Sequence, residues 1–449
     1  MRSFRTLPLI SAMALSFCGM AQGQSLLELY EAARGFDANY QSVQAQFEAT
    51  RLKSAQAQSK LGPTGSLSVN VSKNNISYDP SKSLATNPSF TRFYGSNTAT
   101  VVGSQPLYRP GDKAEIAQSS LQMQVVEEQL AAAEQDLMVR VSQAYFDVLA
   151  SLDTLAFVQA QKAAVAEQLA SAKRNFEVGT ATITDTREAQ AGFDLVTAQE
   201  IGAQNDLQVK KLALDQVVGK MGTQPKTMLA KAEPSALVPT QVEEWVSLSS
   251  EKNPVLRQAA IGLKVTELET QKAKAALKPT VDMQLSHTFS NNTNASSSGA
   301  VPFGATSNLT TGALVLSWPF YTGNALDNRV RETLSLTQKA QADLDAATRT
   351  VAQNTRSAFF GVVSGVSQVK ALQAAVESTK VALEANKLGY SVGVRINMNV
   401  LDAQSKLFDT RAKLAKARYD VLMGHLRLRQ VSGTLQLQDL QGINNLLEP

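Results

Sequence analysis

Few residues in this chain could do covalent or metal chemistry. His287 and His425 lie far apart with no companion His or Cys at ligand spacing, so the sequence predicts ordinary surface positions for both and no metal site. The single cysteine, Cys18, directly follows an N-terminal apolar run. No Gly-rich phosphate loop precedes a Lys and a Ser or Thr, and the scattered Ser and Asp residues form no nucleophile motif. What remains is hydrogen bonding and charge around two glycines, Gly179 and Gly393. Thr184 and Asp185 follow the first; Tyr390, Arg395, Asn399 and Asp402 flank the second. A phenol or guanidinium meeting a carboxylate or hydroxyl forms bonds of about 0.5 to 3 kcal/mol each, enough for a reversible latch. By type alone the same residues also suit plainer roles. Thr184 and Asp185 could start a helix, Arg395 could be a solvated charge, Asp402 could complement a helix dipole, and the glycines suit turns at positive φ.

Residues 1–23 read as a secretory signal. Arg2 and Arg5 open it, Leu7 to Phe17 form the apolar run, and Ala21-Gln22-Gly23 supplies a small-residue cleavage site. Cys18 would suit a lipid-anchored signal, but Phe17 is bulky where such signals want a small residue. Cleavage would leave a mature chain without a thiol for a disulfide or nucleophile. Two of the 43 basic side chains leave with the signal, against 39 acidic ones, so the mature balance is nearly neutral. That gives no reason to expect nucleic acid as a partner. No later stretch has the roughly 18 consecutive apolar residues of a spanning helix, so any bilayer crossing falls to β-strands.

The elements that hold the two glycines are written twice. Leu61-Gly62-Pro63-Thr64 recurs as Leu277-Lys278-Pro279-Thr280, Gln105-Pro106-Leu107-Tyr108 as Trp318-Pro319-Phe320-Tyr321, and Ala144-Tyr145-Phe146 as Ala358-Phe359-Phe360. Phe176-Glu177-Val178-Gly179 then recurs as Tyr390-Ser391-Val392-Gly393 and Glu188-Ala189-Gln190 as Asp402-Ala403-Gln404, in the same order and at a shift of 213 to 216.

Each half has one grammar. A helix of about 35 residues (25–61; 242–277) ends at a proline, which lacks the amide a helix needs. An alternating strand follows: Leu67, Val69 and Val71 against Ser66, Ser68 and Asn70, then Val281, Met283 and Leu285 against Asp282, Gln284 and Ser286. Polar loops (74–91; 291–308) lead to return strands (97–107; 309–320). Tyr108, Trp318, Phe320 and Tyr321 would suit either an aromatic girdle at a membrane interface or the edge of a soluble hairpin. Next come helices over 111–176 and 323–390, each on the order of 100 Å long at 1.5 Å per residue. Their apolar residues, such as Val141, Tyr145 and Val148 or Val362, Val369, Leu372 and Val376, step at heptad spacing and demand partner helices. Those partners are 185–218 and 399–431, joined across the turns at Gly179 and Gly393. The fold class is therefore α+β with a duplicated helix-strand-strand-long helix-helix repeat, and as a membrane protein it would cross the bilayer by its strands. The repeats run over about 24–220 and 241–433, the barrel strands over about 64–107 and 280–320, and a tail over 434–449.

Four amphipathic strands cannot close a barrel, and an open edge is not tolerated in lipid. Three copies would supply twelve strands, with a helical cylinder beneath. A periplasmic adaptor also uses long helical hairpins but would carry lipoyl-like β segments, and a structural coiled-coil surface protein has no use for the strand pairs.

The segments Phe176–Asp185 and Gly389–Arg395, with Val400-Leu401-Asp402-Ala403, resemble the hairpin tips of the TolC family, and Ala417-Arg418-Tyr419 through Asp439-Leu440 resembles its final helix and exit. The resemblance covers essentially the whole mature chain. It implies a homotrimeric channel-tunnel: a 12-stranded barrel in outer-membrane lipid over an α-helical barrel reaching through the periplasm. It also implies type I protein secretion or multidrug efflux, with a periplasmic adaptor and an inner-membrane ABC or proton-driven transporter as partners and no cofactor. By the same resemblance the mouth is held shut by Tyr390 with Asp185 and Arg395 with Thr184, while Gly179 and Gly393 belong to the surface an adaptor grips. The family carries two Asp rings at the constriction; Asp402 matches one, and the other position is Asn399 here, which halves the expected ring charge.

Overall fold

The computed structural model describes residues 23–78, 90–229, 237–293 and 306–448. The signal segment with Cys18 up to residue 22, and most of both polar loops (79–89 and 294–305), lie outside the described residues. The first half runs α1 (Leu26–Phe36), α2 (Ala38–Ser59), β1 (Thr64–Tyr78), β2 (Phe90–Tyr108), α3 (Pro110–Glu177) and α4 (Ile183–Val218). The second repeats that order as α5 (Val242–Lys252), α6 (Pro254–Ala275), β3 (Thr280–Thr293), β4 (Thr306–Ser317), α7 (Ala325–Ser391) and α8 (Asn397–Val431), and closes with α9 (Leu437–Asn444).

The single opening helix expected in each half is two helices. Asp37, at φ −60° and ψ 115°, leaves the helical region, and its Oδ1 accepts from the amide of Tyr40 at 2.8 Å, so it caps α2. Asn253 makes the equivalent break, accepting from the amides of Val255 and Leu256 at 2.9 and 3.2 Å with Pro254 at the first helical position. Each side chain replaces the carbonyls that a continuous helix would have offered.

Contacts divide the chain into two compact units, Met1–Gln41 with Ala133–Ser249 and Asn354–Pro449, and Ser42–Ala132 with Ser250–Gln353. In the first, α1 packs on α4 and α9, and α4 on α8. Leu26, Leu29 and Tyr30 of α1, Tyr145 and Phe146 of α3, Leu426 and Leu428 of α8 and Leu440 of α9 are fully buried there. Val141, Tyr145 and Val148 carry the heptad stripe inward, and Val362, Val369 and Leu383 do so on α7. Arg140 grips the helix-breaking Asp37 with two bonds of 2.8 and 3.1 Å, which holds that carboxyl below the usual carboxylate range.

The second unit holds a four-stranded antiparallel sheet in the order β1-β2-β3-β4. Register places Leu67 opposite Val101, Val101 opposite His287, and Met283 opposite Leu314, so the apolar alternate residues of all four strands share one face. That face is bare in the single chain, with Leu67 and Val69 both 68% exposed and Leu314 71%. β4 stops at Ser317, short of the expected Phe320, because Pro319 has no amide to donate. Trp318, Phe320 and Tyr321 therefore follow the strand as exposed aromatics.

Candidate gate at the helix-hairpin tips

Two helical hairpins, α3–α4 and α7–α8, end in tips of the same construction. In the first, Gly179 takes φ +78°, its amide donates to the Phe176 carbonyl at 3.0 Å, and the amides of Thr180 and Ala181 both reach the Asn175 carbonyl at 2.8 and 3.1 Å. In the second, Gly393 also takes φ +78°, its amide reaches the Tyr390 carbonyl at 3.1 Å, and the amides of Val394 and Arg395 reach Gly389 at 2.9 and 3.0 Å. Each long helix thus ends on a left-handed residue that folds the following amides back onto its orphan carbonyls.

The returning helices start differently. Thr182 caps α4 through a reciprocal box: its Oγ1 accepts from the Asp185 amide at 3.2 Å, and Asp185 Oδ2 accepts from the Thr182 amide at 2.9 Å and its hydroxyl at 2.8 Å. At α8 the matching cap position is Ile396, whose side chain cannot accept, and only Asn399 Oδ1 reaches back, to the Ile396 amide at 3.3 Å. Asp185 and Asn399 are thus the same position of the two repeats, and each secures a helix start. Both bonds on Asp185 fall on Oδ2, leaving Oδ1 open. Thr184 and Asp402 are exposed, Arg395 is exposed beside Gly389, and Tyr390 is half-buried against the Leu383, Val400 and Leu407 cluster of its own hairpin.

The side chains that join the hairpins here are others. Asn397, the first residue of α8, is fully buried; its Nδ2 donates to the Asp185 carbonyl of α4 at 3.3 Å, and its Oδ1 accepts from Gln168 of α3. Just behind, Leu401 of α8 packs with Val165 and Val196 of the first hairpin. Further along, the Tyr419 hydroxyl of α8 donates to Asp153 Oδ2 of α3 at 2.7 Å, while the Tyr419 ring stacks on Phe146 with centroids 5.6 Å apart. Burial pushes the Asp153 carboxyl up, and burial beside the Asp153 charge pushes the Tyr419 phenol up. Asn397 had a signal in sequence: the matching position of the first repeat is the apolar Ile183, and a polar residue in place of an apolar one at a helix start points to a partner outside its own helix. Asp153 and Tyr419 had none, because their match spans 266 residues of sequence separation.

The histidines part company. His287 lies on the exposed face of the sheet with Nδ1 2.9 Å from Thr310 Oγ1. His425 does not have the surface position expected of it: it is half-buried between α8 and α9, its Nε2 buried without a hydrogen-bond partner, and burial with nearby Arg429 lowers its pKa. The amphipathic placement of α8 against α9 takes it inside.

The duplicated tips sit within a duplicated match. The model of the family described as outer membrane efflux protein matches residues 29–220 and again 245–434. The chain belongs to the outer membrane efflux protein family. It is similar to outer membrane protein TolC of Vibrio cholerae serotype O1, at 30% identity over 98% of this chain and 98% of that protein. It is also similar to the alkaline protease secretion protein AprF of Pseudomonas aeruginosa, at 27% over 93% of this chain and 86% of the relative. The fold is shared with the solved channel CusC at a TM-score of 0.78, with 16% identity and 92% of both chains covered. As an outer membrane efflux protein the chain is a TolC-like exit duct of the outer membrane, and its relatives are channels and transport proteins. The exposed apolar sheet face and the long paired helices are the two parts such a duct requires.

Proposed function

We propose that three copies of this chain close one continuous channel. The observation that carries this reading is the sheet: four strands with one bare apolar face, whose outer members β1 and β4 each pair on one side only. Backbone polar groups left unpaired in hydrocarbon cost several kcal/mol each, roughly, so the strands need further strands, and three copies provide a closed set of twelve. The same reading takes residues 24–449 as one duplicated protomer after a signal at 1–23, with repeats 24–220 and 241–433 and a tail 434–449. The exposed Trp318, Phe320 and Tyr321 then sit at the membrane interface.

The hairpin tips act as the gate of this duct. Tyr390 and Arg395 on the second tip link to Asp185 and Thr184 on the first as the mouth closes; the free Oδ1 of Asp185 and the exposed Arg395 and Thr184 support this. Asp402 supplies a ring of three carboxylates at the constriction, where Asn399, occupied in capping α8, adds no charge. Gly179 and Gly393 shape the surface that a periplasmic adaptor grips, and an inner-membrane ABC or proton-driven transporter supplies the energy. The chain itself catalyses no reaction. Protein cargo by type I secretion is favoured over small molecules, since a relative of similar length is named for protease secretion.

Single-channel conductance in a planar bilayer tests the reading, with the wild type beside Asp402→Ala and a Tyr390→Phe, Arg395→Ala double variant. A small cation-selective conductance is expected; it loses selectivity in the first variant and grows in the second. A folded trimer without channel activity would sink the proposal.

A further inference from the structure

Where the helices give way to the strands, a groove of about 410 Å³ lies between the start of α3 and the end of α6. Lys113, Lys274 and Lys278 line it, with Pro110, Ala114 and Leu268 among the smaller and apolar walls, and no carboxylate lines it. All three lysines are exposed, and among the described residues none forms an ion pair. Their neighbours do: Lys60 and Lys272 both reach Glu115, at 2.5 and 3.6 Å, and Arg329 reaches Glu269 at 2.6 Å. Glu115 and Glu269 are thus spent on other cations, and three ammonium groups face one hollow.

The position of that hollow narrows what could fill it. Pro110 is two residues beyond the last residue of β2, and Lys278 is two residues before the first of β3. Trp318 continues the apolar register of Leu314 and Leu316, and its indole Nε1 donates to the Leu277 carbonyl at 3.1 Å, against the turn that carries Lys278. Phe320 and Tyr321 beyond it are 86% and 80% exposed. Aromatic rings with an apolar body and a polar edge settle at the headgroup level of a bilayer, and lysines just outside the hydrocarbon attract lipid phosphate.

We propose that this groove binds the headgroup of an anionic phospholipid, with Lys113, Lys274 and Lys278 on the phosphate and the acyl chains laid along the apolar sheet face past Trp318. The inference rests on the reading of the sheet as membrane-spanning. A bound lipid would bridge α6 and α3 at the point where the wall changes from helix to strand.

The test is native mass spectrometry of the assembled full-length protein, titrated in detergent with phosphatidylglycerol or with phosphatidylcholine. The comparison is between the wild type, a Lys113→Gln, Lys274→Gln, Lys278→Gln triple variant, and a charge-matched control, Lys380→Gln, Lys387→Gln, Lys406→Gln. Each lysine at an anionic surface contributes about fivefold in affinity, so the triple variant should bind phosphatidylglycerol on the order of 100-fold more weakly. The control should bind like wild type, and phosphatidylcholine should bind weakly to all three. Equal phosphatidylglycerol binding by wild type and triple variant overturns the proposal, as does a triple variant that binds normally but shows altered ion selectivity, which would turn the groove toward the lumen. Bilayer conductance of the same samples separates the two readings: an intact channel without lipid preference refutes the lipid site alone, and a folded trimer without a channel refutes the duct.

Discussion

Asn397 Nδ2 donates to the main-chain carbonyl of Asp185 at 3.3 Å, tying the first residue of α8 to the first turn of α4. Its Oδ1 is held by Gln168, so one fully buried amide touches both helices of the opposite hairpin. A buried amide in this position stabilises one arrangement of the hairpins and penalises any other, because separation strips its partners before water can replace them. Asn397→Leu fits the space but leaves the Gln168 amide unpaired. The expected cost is about 1 to 3 kcal/mol, read as a lower thermal midpoint, together with a changed resting conductance. Unchanged values in both measurements would remove Asn397 from the contacts that hold this arrangement of the hairpins.

Tyr419 and Asp153 make a second, deeper tie between α8 and α3, and this one carries a pH signature. Burial raises the Asp153 carboxyl above its unfolded value, so the folded state holds its proton more tightly and stability from this group falls as pH rises through the folded pKa. The Tyr419 hydroxyl limits that loss by donating to the charged form at 2.7 Å. Tyr419→Phe keeps the ring stack on Phe146 and deletes only the donor. At pH about 7 it should cost roughly 1.5 to 3 kcal/mol, the range for a bond to a charged group. The penalty should shrink as pH falls through the raised folded pKa, below which the carboxyl is neutral. Thermal melts of both proteins across that range give the difference directly, and a penalty independent of pH would mean that the bond, not the charge, is what counts.

The long helices and the alternating strands were legible because they rest on periodicity, which a single sequence carries in full. The Gly179 and Gly393 turns were legible for the same local reason: few other residues end a helix at positive φ. The breaks at Asp37 and Asn253 were also local and could have been read, since Asn253-Pro254 is a helix start in its own right. What sequence could not supply is which side chains meet between elements distant in the chain. Asn397 on Gln168 and Tyr419 on Asp153 depend on the angle at which one hairpin packs against another. His425 is different: Val421, Leu422 and Leu428 at helical spacing around it already mark a buried face, and its inward position could have been read from them.

His425 should make the α8–α9 contact acid-sensitive. Burial first, and then the positive charge of Arg429, favour its neutral form, so its folded pKa lies below the unfolded value. Above the unfolded pKa neither state binds the proton and stability is whole; below it the unfolded chain gains a proton that the folded chain resists, and stability falls with pH. The facing charges on α8 and α9 are Arg429 and Asp439, which pair with each other, so no free carboxylate waits to stabilise an imidazolium. His425→Gln keeps a polar side chain without the titration. Between pH about 7 and about 5 the wild type should lose stability relative to this variant. Parallel curves for the two proteins would exclude His425 as the source of any acid sensitivity.

Gly393 sets the second tip through its φ of +78°, and a Cβ there would meet nothing within 4 Å. Space is therefore free and conformation is the whole constraint, which separates two substitutions that sterics alone would treat alike. Gly393→Ala should destabilise the tip by about 1 to 2 kcal/mol, the cost of a left-handed backbone for an ordinary residue, while Gly393→Asn should cost less because asparagine tolerates that region. The loss is local, so hydrogen exchange at the Val394 and Arg395 amides, which donate to the Gly389 carbonyl at 2.9 and 3.0 Å, reads it better than a global melt. Exchange should quicken about 5- to 30-fold in the alanine variant and less in the asparagine one. Equal acceleration in the two would show that the turn is held by the packing of α7 on α8 and not by its own backbone.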